Sequence, residues 1–467
     1  MPHKSPHIDF PGQPLLGNAN RLLNDALNFM SEMSNTGKKV VSFKIGRETC
    51  YLYNHPDLIE RVYRSKQKNY ERSDYYDRLK PFLGEGLLTL EGPKWRQQRS
   101  VAQPSFKGSC LKEMTDQMAL SADQNVKALI NNATNNKHPV DMIEFSLSIT
   151  LDIALRTMFT TQLKEGVLSK LYDAMTVALR EMEKKLWSAL PLPMWLPTKR
   201  HRRYKRAVGY IDELVLDLIN ERVKRPRGET NDLLEAIIQG EIDLNGKNNI
   251  DQQSLLDQVK LILVASHETV TSSISWSLLC LSKHPEWHTK LKTEAETVLG
   301  DNLAGFDDIA NLPLSKAFFE EVLRLYPAAW SFSRKTIDED VLDDGTVIPA
   351  GSTVVTAPYI IQRHPDFWHN PEGFDPARFL KSDDKLQQHP FAFFPFAAGK
   401  HVCLGNRFAM LEGVIILSSL VRAGEYHLLP GTHVEAEPAM TLRPKAPLLM
   451  TVHPQQKIDQ KKQAGAA

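Results

Sequence analysis

Only four cysteines occur in 467 residues, at 50, 110, 280 and 403, and no two of them form a CxxC pair. That scarcity excludes a disulfide-stapled scaffold, points to a reducing compartment and denies a zinc site its usual ligand spacing. Neither sign of charge dominates, with 57 Lys+Arg against 56 Asp+Glu, so the electrostatic footprint of a nucleic-acid binder is missing. Long apolar runs are missing as well. The ten residues before Pro11 hold neither a secretion signal nor a membrane span, so a cytoplasmic, soluble monomer is expected. No internal repeat is visible. The polar tail Gln455–Ala467 lacks core residues and is expected to be disordered.

What is present is apolar periodicity. The chain is 42% hydrophobic, and runs at 112–134, 141–160, 164–187, 203–223 and 254–283 predict helices. Alternating segments predict a β-hairpin over 39–45 and 49–53, turning at Gly46, with further strands at 353–357 and 448–452. The basic run Lys199–Arg206 reads as a solvated face at a helix start, with contact to an anionic surface as the minority alternative. Length alone, at about 150 residues per domain, suggests three domains. The motifs below spread from Trp95 to Cys403 and have to converge, so residues 1–454 are read as one mainly α domain with a minor β-sheet region.

Cys403 lies in Phe396-Ala-Ala-Gly399-Lys-His401-Val-Cys403-Leu-Gly405, followed by a helix-like run from Asn406 to Leu420. Glycines permit close approach of a ligand to the backbone. A sulfur at a helix N-terminus meets orphan N–H groups that favour its thiolate. Taken alone, the segment reads equally as an inert buried thiol, and zinc is the weaker rival.

Other segments add to it. Glu321 and Arg324 stand three apart on one helix face, with Pro327 marking the helix end. Trp95 and Arg99, four apart, also share a face. In Val264-Ala-Ser-His-Glu-Thr-Val-Thr271, an acid precedes a threonine inside the longest helical run, where a hydroxyl beside a carboxyl can order a proton-delivering water. Such a threonine otherwise bonds back to a carbonyl one turn earlier.

In this order and spacing the segments resemble the cytochrome P450 family, whose cysteine-loop signature sets Phe, Gly, Arg or His, Cys and Gly at the offsets of Phe396, Gly399, His401, Cys403 and Gly405. The resemblance implies a triangular, single-domain helical architecture. It implies haem b with Cys403 as the axial thiolate and metal ligand, O2 as co-substrate, and Trp95, Arg99, Arg334 and His401 around the propionates. Thr269 and Glu268 become the catalytic pair, and Phe374-Asp-Pro-Ala-Arg378 supplies a second arginine to Glu321 and Arg324, a structural network that locks the cysteine loop. Ser266 departs from the glycine usual in that family and puts a hydroxyl near the reacting centre. His267 is expected to face solvent or pack against a neighbouring helix, without a catalytic role.

The implied activity is insertion of one oxygen atom into a C–H bond or alkene of a lipophilic molecule, either a terpenoid or other natural product or a fatty acid. The pocket is expected along 73–90, the loop from Leu186 to Pro197, Leu261, Ala265, Ser266, Ala328 and Met440, with Arg78 and Arg443 as the candidates for a carboxylate anchor. Only 64 residues follow Cys403, which leaves no room for a flavin or iron–sulfur domain. Electrons are therefore expected from a separate ferredoxin or flavodoxin with its reductase, docking near Lys94, Arg96, Lys107 and Lys400. A redox-independent haem-thiolate isomerase or dehydratase and a non-catalytic haem sensor are the alternative readings.

Overall fold

Each long apolar period folds as a helix whose ends are set by local chemistry. The structure, a computed structural model, describes residues 7–136, 138–187, 196–226, 228–245, 251–380, 389–445 and 447–455. The helices that position the site are α1 (Ala19–Ser34), α2 (Gly92–Ala102), α3 (Gly108–Asn136), α4 (Met142–Met158), α5 (Glu165–Trp187), α6 (Lys199–Val223), α7 (Gln252–Lys283), α8 (Pro313–Leu325) and α9 (Asn406–Ala423). Asp141, Thr198 and Asp251 cap α4, α6 and α7 by accepting from backbone N–H groups of the first turn. α7 has 32 residues, about 48 Å at 1.5 Å per residue. It is buried on nearly every face, as a core helix must be. α4 lies along it, and Thr150 and Thr271 bridge the two helices through their hydroxyls at 2.7 Å.

Strands β1 (His7–Asp9), β2 (Val40–Ile45), β3 (Glu48–Tyr53), β4 (Tyr70–Arg72), β5 (Phe332–Thr336) and β6 (Thr353–Thr356) form one sheet in the order β1-β2-β3-β6-β5-β4. The expected hairpin is β2–β3, turning at Gly46 in the left-handed region at φ 61°. Strand Leu449–Pro454, close to the expected 448–452, pairs with Gly424–Leu428 and with Val140–Asp141. A last hairpin, β7 (Ala436–Pro438) and β8 (Leu442–Pro444), turns back towards α7. Of the expected tail, Gln455 is tied down: its N–H donates to Ala423 O at 2.9 Å, and its side chain accepts from Lys292 at 2.8 Å. The other residues of that tail lie outside the described residues.

α8 carries the network that the sequence places at Glu321. Glu321 and Arg324 are fully buried; Arg324 donates to both carboxylate oxygens at 2.7 and 2.8 Å, and Arg378 donates to one at 3.1 Å. Arg324 also donates to the carbonyls of Gln362, Pro371 and Gly373 at 2.9, 2.6 and 2.9 Å. Gln362 relays this inward, donating to Leu323 O and Arg324 O while accepting from Phe394 N–H at 3.0 Å. Phe394 stands two residues before Phe396, so the cysteine loop hangs from the end of α8.

α9 contains a different kind of buried acid. Glu412 is fully buried, and neither carboxyl oxygen has a partner among the described residues. Burial pushes its carboxyl well above the usual range. An acid whose proton is held more tightly in the folded than in the unfolded chain contributes stability that is fully present below the ordinary carboxylate range and declines as pH rises.

Two outcomes follow. Glu321→Ala strands two guanidiniums and should cost about 3–5 kcal/mol; denaturant melts and the haem-to-protein ratio should both collapse, and a protein with normal haem content would contradict the network's role. Glu412→Gln should raise stability at pH 8, and the gain should shrink as pH is lowered towards 5, measured as melting temperature against pH.

Candidate functional site

The cysteine loop is built by backbone hydrogen bonds. Cys403 N–H donates to Phe396 O at 2.9 Å and Val402 N–H to Gly399 O at 3.1 Å. Gly399 lies at φ 65°, and a Cβ there would meet Tyr63 O at 2.1 Å, so only glycine fits. Gly405 differs: its backbone is ordinary, and a Cβ would meet only Phe106 at 3.6 Å. Gly405 faces the cavity described below, whereas Gly399 is not among its walls and serves the fold of the loop. Gly405 also stands at the N-cap of α9. The Cys403 thiol is enclosed by the protein fold yet exposed to the cavity. Burial pushes the thiol up, while the Gly405 N–H and the Arg99 guanidinium pull it towards the thiolate.

A cavity of about 460 Å³ joins this loop to α7. Phe396, Cys403 and Gly405 line it, as do Leu261, Ala265, Ser266, Glu268 and Thr269 from α7. Ala328, Phe332 and Met440 contribute apolar wall from other elements. Sequence reasoning did not anticipate its reach towards the N-terminal region, where Leu22 and Met30 of α1 and Phe43 and Ile45 of β2 also face it. Most of the expected wall from Leu186 to Pro197 falls outside the described residues.

Arg72, Arg99, Arg334 and His401 also line the cavity. Arg72, absent from the sequence reading, is aligned with Arg334 by the register of β4 on β5. Arg72 donates to Leu87 O at 2.8 Å, Leu90 O at 3.0 Å and His401 Nδ1 at 3.0 Å. His401 Nε2–H then donates to Glu91 at 2.9 Å. Burial pushes His401 down to about 4, with Arg72 and Arg334 adding to the effect and Glu91 opposing it, so the ring is neutral at neutral pH. Trp95 is buried outside the cavity, with its ring centroid 4.2 Å from that of His401 and Arg99 over its face. Arg99 donates to Val402 O at 2.9 Å.

On α7, Thr269 Oγ1 donates to Ala265 O at 2.9 Å, so the hydroxyl is held by its own helix. Ser266 leans back on Leu263 O at 3.3 Å. Glu268 accepts from Thr441 Oγ1 at 3.2 Å and lies 3.7 Å from Arg443; burial pushes its carboxyl up, and Arg443 and Thr441 pull it down. His267 is buried, both ring nitrogens lack partners among the described residues, and burial pushes it down to about 4. Of the two placements expected for it, packing against a neighbour is the one adopted.

These residues fit haem on a simple electrostatic test. Among the described residues no carboxylate forms an ion pair with the guanidinium of Arg72, Arg99 or Arg334; Arg334 is buried, and Glu91 acts on Arg72 and Arg334 only from longer range. Unpaired guanidiniums in an apolar wall are costly unless an anion meets them, and two propionates would. Around Cys403 there is no competing metal cage: among the described residues no group of three or more His, Cys, Asp or Glu is placed to hold an ion. No described helix is long and apolar enough to cross a membrane.

Comparison with known proteins agrees. Cyclooctatin synthase of Streptomyces melanosporofaciens is 27% identical over 95% of this chain and 94% of its own. Cyclooctat-9-en-7-ol 5-monooxygenase of the same organism is 29% identical over 90% of each. Pentalenene oxygenase of Streptomyces avermitilis is 28% identical over 94% of each. The family model for Cytochrome P450 matches residues 9–452, and the chain therefore belongs to the cytochrome P450 family, monooxygenases that carry haem on a cysteine thiolate and consume dioxygen.

Proposed function

We propose that this enzyme oxygenates a neutral lipophilic molecule, a terpenoid or related natural product, on haem held by Cys403, with electrons from a separate ferredoxin or flavodoxin system. The observation that carries the reading is one apolar cavity shared by Cys403, three arginines without ion pairs, and the Ala265–Thr269 segment. Haem, when bound, supplies the oxygen-activating chemistry that inserts one oxygen atom into a C–H bond or alkene. The chain's own groups bind, orient and manage protons. Arg72, Arg99 and Arg334 would hold the propionates, with His401, bridged between Arg72 and Glu91, keeping the Arg72 guanidinium in place, and the Gly405 N–H would steady the sulfur.

Thr269, satisfied by Ala265 O, keeps lone pairs available to order a water. Glu268, whose carboxyl burial pushes up, is the proton store beside it. A haem-thiolate isomerase or a haem sensor would have no use for this pair. The substrate class follows from what surrounds the cavity. Of the two candidate anchors for a fatty acid, Arg443 is already engaged by Glu183, Glu268 and Glu437, and Arg78 lies over the Tyr75 ring. A neutral substrate held by shape is favoured, and relatives named as oxygenases of pentalenene and cyclooctat-9-en-7-ol support the same chemistry. On the outer surface Lys94 and Lys400 pair with Glu85 and Glu91, while Arg96 and Lys107 are exposed, a mixed face suited to a weakly bound acidic electron carrier.

Arg334→Gln or Arg72→Gln should speed haem loss about ten- to a hundredfold, as expected for removing one hydrogen bond to a charged group, measured by haem transfer to an acceptor protein; unchanged retention would refute the propionate assignment. Optical titration of the ferric protein should give a saturable low-to-high-spin shift with terpenoids and none with fatty acids of similar size. The reverse selectivity would overturn the neutral-substrate reading.

A further inference from the structure

The guanidinium of Arg443, on β8, faces three carboxylates from three elements. Glu437 of β7 lies at 2.9 Å, Glu183 of α5 at 3.5 Å and Glu268 of α7 at 3.7 Å. One positive charge cannot satisfy three negative ones, and the contact to Glu268 is the longest. Glu183 is fixed to the same turn by accepting from Met440 N–H at 3.2 Å, as Glu268 is by accepting from Thr441 at 3.2 Å. One turn before Glu183, Leu179 lines the cavity. A ligand pressing on α5 through Leu179 would therefore move Glu183 relative to Arg443.

We propose that Arg443 is a positioning residue that couples α5 to Glu268: Glu183 and Glu437 hold the guanidinium off the Glu268 carboxyl, and the seat of α5 over the cavity sets how tightly Arg443 grips it. This rests on Glu268 handling protons, as proposed above. Arg443 and Glu183 are the charged groups set against Glu268, with Thr441 its hydrogen-bond donor. Burial pushes Glu183 and Glu268 up and Arg443 pulls both down, as expected for two acids competing for one cation.

Difference infrared spectroscopy of the ferric holoenzyme tests this, with the Glu268 carboxyl band identified by its loss in Glu268→Gln. In Glu183→Gln, Arg443 is released towards Glu268, and the ionisation midpoint of that band should fall by about one pH unit, tenfold in the ionisation constant. Glu183→Asp should restore most of the shift. In Arg443→Gln the midpoint should rise, and adding Glu183→Gln to that background should change it little. Arg443→Met, which likewise removes the charge, replaces the glutamine variant if that one does not fold, with the same expectation. A midpoint unmoved by Glu183→Gln overturns the coupling. So does one that moves equally without Arg443, since direct repulsion between the two acids would then suffice. If the shifts appear while Glu268→Gln turns over normally, the coupling stands and the proton-handling role of Glu268 fails.

Discussion

Glu321 sits without solvent access between Arg324 and Arg378, and its charge sets the terms for the segments that follow α8. A buried carboxylate is tolerable only while both guanidiniums reach it, and both do so only when residues 362–378 are folded against α8. The spare donors of Arg324 then bind three carbonyls of that stretch, and Gln362 passes the constraint to Phe394. The position of a sulfur some eighty residues downstream in sequence thus depends on an ion pair three residues apart on one helix. None of Glu321, Arg324, Arg378, Gln362 and Phe394 lines the cavity.

A second constraint holds the opposite wall. The β7–β8 turn is bolted to the core: Ser272 and Trp276 both donate to Leu442 O at 2.5 and 2.7 Å, and Trp330 donates to Ala439 O at 3.0 Å. Leu442 N–H donates to Ala328 O at 3.0 Å. Met440 and Thr441 are therefore presented to the cavity on a fixed support, which shape-based recognition of an apolar ligand requires.

Much of this was legible in the sequence because it is local. The Glu321–Arg324 spacing, the Cys403 loop and the long apolar periods are patterns within one turn, one loop or one helix. α1 was harder to see: its apolar residues recur at 22, 26, 29 and 33, but Asn20, Asn24 and Asn28 are poor helix formers, and Asp25 leaves helical geometry at φ −155°. Arg72 carried no signal at all. It sits in a three-residue strand and becomes a cavity residue only because β4 aligns it with Arg334, far away in sequence. The grip of Arg443 on three glutamates is likewise a product of register and helix seating. Gly399 was legible as important, but its reason is a backbone oxygen, Tyr63 O, that no pattern near residue 399 reveals.

The pairing of Arg72 with Arg334 has a thermodynamic consequence. Like charges directly opposite on neighbouring strands repel, and here they do so at a sheet edge facing an apolar interior. An anionic ligand converts that repulsion into attraction, so it binds the folded chain and has no comparable site on the unfolded one. Folding and cofactor uptake are then linked by mass action: chains made faster than haem is supplied would populate a less stable state exposed to proteolysis. Under the propionate assignment proposed above, the steady amount of this enzyme in a cell would follow the supply of haem through Arg72 and Arg334.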